Sequence, residues 1–426
     1  MAQPRPDKHT QSPIFRLDQP ELLDLHAMEA ASAPNQRGAW RYLATLFEDA
    51  QKRHCQQLSI EPDANLWRVR YRTGGDYDEH VVEDASNLIW ATTALQVKLW
   101  GEHYHKQSQR NARFTLIFGE MNTAITVNAI HTVNGDFLEF DFDPILPMPP
   151  LLDELGFQAN QLKALRARLR HNTGMVLITS SETHQLDDTL LAINQELVSP
   201  SRKLLSVNKR HRYSLPRTTQ IDLQHIDQAE QGKTWNTALD TSHDILLIGG
   251  NVPEDCHERI ANASDQGVMT IQALQVGKDA DQIQILNAGI MRRSPLHRTV
   301  DTIVNHYPVR TNCPHCVERC VLNEYEQHWL EHLRTPVTEN VVSWLTDGNT
   351  EQFMRSVGCD RCADSAYGPP MSVFEVIERN EQNHLFPSSD RVNTNSTGFT
   401  ALQRQLMVKA KKGKISLDEV IRVLNG

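Results

Sequence analysis

No apolar run in this 426-residue sequence approaches the roughly 20 residues that a membrane-spanning helix needs. The N-terminus, M-A-Q-P-R-P-D-K-H-T-Q-S-P, is polar and proline-rich and lacks the apolar core of a signal peptide. Together these absences lead us to expect a cytoplasmic protein. A basic excess is also missing: the formal net charge is −10, which argues against a general nucleic-acid binder. Neither an internal repeat nor an extended low-complexity tract is visible. Cysteine is scarce, at seven residues, but four stand in two tight pairs, Cys313/Cys316 and Cys359/Cys362. In a cytosolic protein, paired C-x-x-C units point to metal rather than to disulfides. Cys55 and Cys256 stand alone and read as ordinary buried thiols.

What is present suits an ordinary globular chain of two or three domains. Residues 1–35 are low in apolar content, and we expect them to be disordered or mobile. Residues 36–143 read as a small α+β domain. A helix with Leu43, Leu46, Phe47 and Ala50 on one face runs from Trp40 to Cys55, and another lies near 86–103. Strand-like runs fall at 66–72, 114–119, 123–131 and 136–142. The stretch D-P-I-L-P-M-P-P marks a linker at 144–150. From 151 to 426 strands and helices alternate: helix 159–171, strand 175–179, helix 187–198, strand 203–207, helix 233–240, strand 245–248, helix 255–265 and strand 268–274. That alternation is the pattern of an α/β fold with a mainly parallel sheet. Two further helices are expected at 400–424, the second capped by Ser416.

One turn carries the main functional question. Between Gly174 and Leu190 the chain reads G-M-V-L-I-T-S-S-E-T-H-Q-L-D-D-T-L, a buried strand followed by a helix. A phosphate-binding loop placed there needs glycines for backbone approach, a lysine for the β/γ-phosphates and a Ser/Thr hydroxyl for Mg²⁺. This turn has no glycine and no lysine, and it carries Glu182, Asp187 and Asp188.

In order along the chain, these pieces resemble the ATPases of type II secretion and type IV pilus assembly. I-E-P at 60–62 with V-R-Y-R at 69–72 and Gly75 is similar to the opening of that family's N-terminal domain. G-M-V-L-I-T at 174–179 resembles the strand before its Walker A loop. Y-S-L-P at 213–216 with Gln220 resembles the segment after its Asp box, and D-I-L-L-I-G at 244–249 its Walker B strand. V-R-T-N-C-P-H-C at 309–316, G-C-D-R-C at 358–362 and V-F-E-V at 373–376 look like its tetracysteine module, about residues 309–368. Lys409, Gly413, Leu417 and E-V-I-R-V at 419–423 echo its C-terminal helices. The resemblance covers roughly residues 40–426, and by it we expect the family's mobile N-terminal docking domain to be missing or reduced. It implies a RecA-like P-loop-type core with a mainly parallel sheet, preceded by a PAS-like α+β domain and carrying a tetracysteine zinc insert.

Departures from the family pattern fall on the chemistry. The Walker A lysine position is Leu186, the Mg²⁺-binding hydroxyl position is Asp187, and the glycine positions are Ser180, Thr183 and Gln185. Asn208, Lys209 and Arg212 replace acids of the Asp box. The Walker B glutamate position is Gly250, and the His box histidine position is Gln275. Of the arginines expected to reach a neighbour's phosphates, Arg113 remains as a possible trans contact, and its counterparts fall at Asn128 and Asp141. Phosphoryl transfer depends on positioning and on charge stabilisation by metal, Lys and Arg. Losing these elements together leads us to expect a pseudo-ATPase that does not use ATP and Mg²⁺.

By the same resemblance, Cys313, Cys316, Cys359 and Cys362 are expected to hold a structural Zn²⁺, four thiolates leaving no open position. His315 and Cys320 are close enough to be alternative ligands but read as bystanders. The basic cluster at 202–217 reads as a solvated face, with docking of an acidic partner or membrane surface as the alternative. His103, His184 and His211 show no partner in the sequence. Ser180–Ser181 lacks the glycines of a nucleophile elbow.

The expected role is therefore a catalytically degenerate subunit of a pilus or type II secretion motor at the cytoplasmic face of the inner membrane. Its expected partners are the platform protein and an active ATPase paralogue, in a homo- or hetero-oligomer for which the family implies a hexamer. Two alternatives stand beside this: a divergent working ATPase using Lys209 or Lys233, and a ligand-sensing module built on the ancestral cleft.

Overall fold

The computed structural model describes residues 15–16, 21–64, 66–73, 76–82, 85–106, 109–118, 121–144, 148–224, 226–276, 295–333, 353–379 and 401–425. The chain divides into two compact units. One comprises Met1–Asp18, Leu146–Tyr307 and Phe374–Val392; the other comprises Gln19–Ile145, Pro308–Val373 and Asn393–Gly426. The first strand, β1 (Phe15–Arg16), belongs to the former. Among the described residues, no helix is long and apolar enough to cross a membrane.

The second unit opens with a seven-stranded sheet in the order β2-β6-β7-β8-β3-β4-β5. Its strands are β2 (Glu21–Leu23), β3 (Gln57–Asp63), β4 (Leu66–Thr73), β5 (Asp76–Val82), β6 (Gln109–Phe118), β7 (Met121–Thr132) and β8 (Gly135–Pro144). Helices α1 (Leu25–Ala31), α2 (Pro34–Lys52) and α3 (Ser86–Trp100) accompany it. Pro34 starts α2 at a position where a missing N–H costs nothing. Leu43, Phe47 and Ala50 recur on one face of α2 and are fully buried with Leu58, Ile60, Leu138 and Phe140 of the sheet. The Phe47 and Phe140 rings meet edge to face at 5.2 Å. Part of the stretch expected to be a loose tail is structured: β2 pairs with β6, and Leu23 and Leu25 enter this core. These two leucines supply the burial that the polar residues around them cannot.

The first unit holds the second seven-stranded sheet, in the order β12-β10-β13-β14-β9-β15-β18. Its strands are β9 (Met175–Ser180), β10 (Leu204–Asn208), β12 (Thr218–Asp222), β13 (Ile245–Gly249), β14 (Met269–Gln275), β15 (Val300–Val309) and β18 (Met371–Glu378), and a short β11 (Tyr213–Ser214) pairs with β1. Every pairing from β12 through β10, β13, β14 and β9 to β15 is parallel. All six residues of β9 are buried, as expected for a central strand covered on both faces. Helices α4 (Ala159–Leu169), α5 (Thr183–Leu197), α6 (Gln228–Asp240) and α7 (His257–Asp265) alternate with these strands. The α/β reading of the sequence agrees with this architecture.

On β15, His306 is 1% exposed, its ring lies 4.3 Å from the Phe374 ring at a tilt of 34°, and neither ring nitrogen makes a full hydrogen bond. Burial pushes its pKa down to about 3, offset only in part by the Gln185 backbone. The unfolded chain takes up this proton near pH 6.5 and the folded chain does not. Stability is therefore complete above that pH and is lost as pH falls, by about 1.4 kcal/mol per unit. We expect a loss of about 2–3 kcal/mol from this residue between pH 7 and pH 4.5. Denaturant titrations of His306→Leu should show a correspondingly flatter pH profile; an unchanged profile would exclude the effect.

After Tyr307 the chain enters the second unit, where β16 (Val317–Arg319) pairs antiparallel with β17 (Met354–Ser356). This segment and the helices Ala401–Lys411 and Leu417–Asn425 were expected to share a domain with the parallel sheet, yet they cluster in the other unit. Local bonds account for their cohesion. Asn312 donates to the Gly413 and Met354 carbonyls at 3.0 and 3.2 Å, and Arg310 grips Glu419.

Candidate functional site

In open α/β sheets, ligands bind beyond the carboxyl ends of the parallel strands. Here that edge gathers Ser180 of β9 and Gln275 of β14, which pair in register, and, level with Ala273 and Ile178 just before them, Gly249 of β13 and Asn208 of β10. The motif positions singled out from sequence thus come together.

The turn after β9 is short. Strand β9 ends at Ser180 and α5 starts at Thr183, earlier than the expected 187, leaving only Ser181 and Glu182 between them. No residue from Ser180 to Leu186 has a positive φ, so the turn lacks the alternating backbone that makes a phosphate-cradling nest. Instead the turn is closed on itself. Ser180 Oγ accepts from Glu182 N–H at 3.2 Å, and the Ser180 carbonyl accepts from Val276 N–H at 3.0 Å. Gln275 donates to the Ser181 carbonyl at 3.2 Å. Glu182, a carboxylate, sits buried at the N-terminus of α5, the position where helix dipoles favour an anion.

Leu186, at the lysine position, is a core residue. It is 4% exposed and packs with Val176, Ile178, Leu190 and Ile193. It belongs to the stripe Leu186, Leu190, Ile193, Leu197 that seats α5 on the sheet.

The charges across the edge are paired with each other. Arg212, 5% exposed, hydrogen-bonds the Asp188 carboxylate and lies 4.0 Å from Asp187. Asn208 Nδ2 reaches Asp187 at 3.5 Å. Burial pushes the Asp187 carboxyl above the usual carboxylate range, with Arg212 and Asn208 pulling the other way. Of the three acids that the sequence places in and after this turn, the fold sets Asp187 and Asp188 beside a neutralising arginine. The Asn208 side chain also lies over β13: a Cβ added at Gly249 would come within 2.3 Å of it, so Gly249 allows this close packing. Gly250, at the Walker B glutamate position, has φ +104° and donates its N–H to the Ala273 carbonyl at 2.9 Å.

The remaining basic residues do not line this edge as a patch. Lys209 is exposed, and Lys233 pairs with Glu230 at 2.7 Å on the surface of α6. Arg202 donates to Asn172 at 3.0 Å and Lys203 to Ser242 at 3.1 Å, so the 202–217 cluster is spread over separate partners. Arg113 on β6 binds Asp143 at 3.0 Å, with both side chains largely buried. A contact from Arg113 to a neighbouring subunit therefore requires this pair to open.

A second network escaped sequence reading. His211 Nε2 lies 2.9 Å from Ser206 Oγ, and its Nδ1 lies 3.0 Å from Asp222. Serine, histidine and carboxylate in that order have the connectivity of a nucleophilic triad. Ser206, however, is 4% exposed within β10, out of reach of any substrate. Burial lowers the His211 pKa against the opposing pull of Asp222, which keeps the ring neutral and suited to bridge the two. The network holds the loop that delivers Arg212. Its residues are 5 and 11 positions apart, and only the parallel pairing of β10 with β12 brings them together.

In the second unit the four expected cysteines do converge. The sulfurs of Cys313, Cys316, Cys359 and Cys362 lie within 4.8 Å of one another, and Cys359 and Cys362 are 3.8 Å apart. A tetrahedral Zn²⁺ with Zn–S near 2.3 Å requires sulfurs about 3.8 Å apart, so the donor set fits that ion. Backbone strain agrees: Ala363, Asp364 and Ala366 all have positive φ, a conformation that persists where the surroundings enforce it. His315 contacts Arg361 at 3.1 Å and Cys320 the Phe353 carbonyl at 3.5 Å, so both stand outside the four-sulfur group.

The description "Type II/IV secretion system protein" matches residues 34–422, nearly the whole chain. The chain belongs to this family. Among secretion-system relatives, it is 22% identical over 403 residues to the type IV pilus assembly ATPase PilB of Pseudomonas aeruginosa, covering 90% of this chain and 67% of that protein. It is 19% identical over 391 residues to a putative type II secretion system protein E of Escherichia coli K12, covering 90% and 76%. The crystal structure of the Legionella pneumophila ATPase DotB shares the fold, with a TM-score of 0.51 and 12% identity over 96% of this chain and 98% of that one. This secretion-family member thus combines the expected α/β architecture with an edge whose charges are turned inward.

Proposed function

We propose that this chain is a catalytically silent member of the secretion-ATPase family, acting as a structural or regulatory subunit of a type IV pilus or type II secretion motor. Its place is the cytoplasmic face of the inner membrane. Its partners are the platform protein and an active ATPase paralogue, in an oligomer. The observation that carries this reading is the closed edge: a two-residue β9–α5 turn, Leu186 buried in the core, and Arg212 engaged with Asp187 and Asp188. A triphosphate would have to displace that arginine without a lysine or a nest to receive it. Phosphoryl transfer without those groups loses the terms that account for most of its acceleration.

Cys313, Cys316, Cys359 and Cys362 would hold Zn²⁺, and four thiolates give it a structural role with no open position for chemistry. The divergent-ATPase alternative has less support: of its two candidate lysines, Lys233 pairs with Glu230 on an exposed helix face and Lys209 is an exposed residue just after β10.

Isothermal titration of the full chain with ATP and Mg²⁺ tests the reading. We expect no saturable binding and no phosphate release above the protein-free rate. A micromolar, Mg²⁺-dependent Kd would sink it.

A further inference from the structure

The helix Glu324–Leu333 ends in the sequence H-W-L-E-H-L, which puts His328 and His332 one turn apart on one face. This helix is firmly anchored. Asn323 and Glu326 form a reciprocal cap: Glu326 N–H donates to Asn323 Oδ1 at 2.8 Å and Asn323 N–H to Glu326 Oε2 at 2.9 Å. Glu326 is also buried against Arg355, and Leu330 is 3% exposed in the interior. Its inner side is thus fixed, and both histidines project outward, exposed.

The two imidazole rings have centroids 4.1 Å apart and planes inclined by 33°, while their Nδ1 atoms are 2.8 Å apart. Nitrogens closer than centroids mean that the rings converge on their Nδ1 edges. The Nδ1 of His332 also lies 2.9 Å from the His328 carbonyl, which can only accept; coordination through this atom therefore requires the tautomer with its proton on Nε2 and gives up that contact. Two nitrogen donors held face to face at this distance match a metal chelate. With metal–nitrogen bonds of about 2.0–2.1 Å, two ligands at a right angle stand about 2.9 Å apart. Right-angled nitrogen ligation suits the tetragonal preference of Ni²⁺ and Cu²⁺.

We propose that His328 and His332 form a second metal site, a two-imidazole chelate for a divalent transition ion of the Ni²⁺ or Cu²⁺ type, separate from the four-cysteine cluster. Among the described residues, no third His, Cys, Asp or Glu lies close enough to complete a protein cage. The remaining positions belong to water or an exchangeable donor, and the site binds its ion reversibly. Binding competes with protons, because both imidazoles must be neutral to coordinate. The ion would also clamp the last turn of the helix.

The test uses the full chain as purified, without a histidine tag, titrated with Ni²⁺ at neutral pH by calorimetry. One strong equivalent per chain is expected. His328→Gln and His332→Gln should each weaken it by about 100-fold, the loss of a chelate partner. Zinc content and thermal unfolding measured on both variants establish that they remain folded. A third variant, H328Q combined with Q327H, keeps two imidazoles but moves them to five-residue spacing, and should not recover the site. Nickel affinity unchanged in either single variant, or no binding stronger than that of the H328Q/H332Q double variant, would overturn the proposal.

Discussion

Replacing Cys359 by serine, or stripping metal with a chelator under reducing conditions, is expected to release one Zn²⁺ per chain and unfold the segment around the cysteine cluster. The expected effect is the largest for any change in this protein. Apparent zinc-binding energies in small Cys/His sites run to about 10–16 kcal/mol at neutral pH, as large as the whole stability of a domain. Apart from the metal, the knuckles are held by hydrogen bonds, such as those from Asn312 to the Gly413 and Met354 carbonyls and from Ser356 to the Cys313 carbonyl. The strands β16 and β17 are three residues each, and left-handed Ala363, Asp364 and Ala366 oppose the observed turn. A chromogenic zinc assay paired with limited proteolysis reads the outcome, with new cleavage between about residues 310 and 370 on metal loss. Protein that carries no zinc as purified, or a Cys359→Ser variant with unchanged proteolysis, would rule out the structural-zinc reading.

Glu419→Ala is expected to destabilise the C-terminal part by about 3–5 kcal/mol, the cost of leaving buried charges without their partner. Glu419 is 0% exposed and serves two arginines at once. Arg310 donates to it from its backbone N–H at 2.8 Å and from Nε at 2.7 Å, while Arg422 donates from Nε at 2.8 Å. The Arg310 guanidinium also lies over the Tyr367 ring at 4.5 Å, and Arg422 reaches the Pro308 carbonyl at 3.2 Å. One carboxylate therefore ties the final helix to the strand leading into the cysteine module. Denaturant unfolding of the variant should shift accordingly, and a double-mutant cycle with Arg422→Ala should show strong coupling. A loss below about 1 kcal/mol would show the network to be dispensable.

Much of the fold was legible because its signals are local. The unbroken apolar runs of β9 and β13 predict central parallel strands, and the periodic leucines of α5 predict the helix beside them. Strands β3 and β5 were missed for equally local reasons. In β3 the alternation of Leu58 and Ile60 with polar residues runs only a few positions before Pro62, and β5 opens on charged residues, where Glu79 pairs with Arg70 of β4 at 2.7 Å in place of apolar alternation.

The candidate site divides in the same way. The absence of glycine and lysine after β9, and the two C-x-x-C pairs, are properties of neighbouring residues, so the sequence alone determined that this turn lacks the residues of a phosphate-binding loop and that four thiols stand in two pairs. What the residues at this edge bind instead is a matter of long-range contacts. Arg212 meets Asp188 across 24 positions, His211 meets Asp222 across 11, and Arg310 meets Glu419 across 109. No periodicity encodes such meetings. They follow from which strands lie side by side and which ends they share, and only the tertiary structure decided that these charges pair with one another.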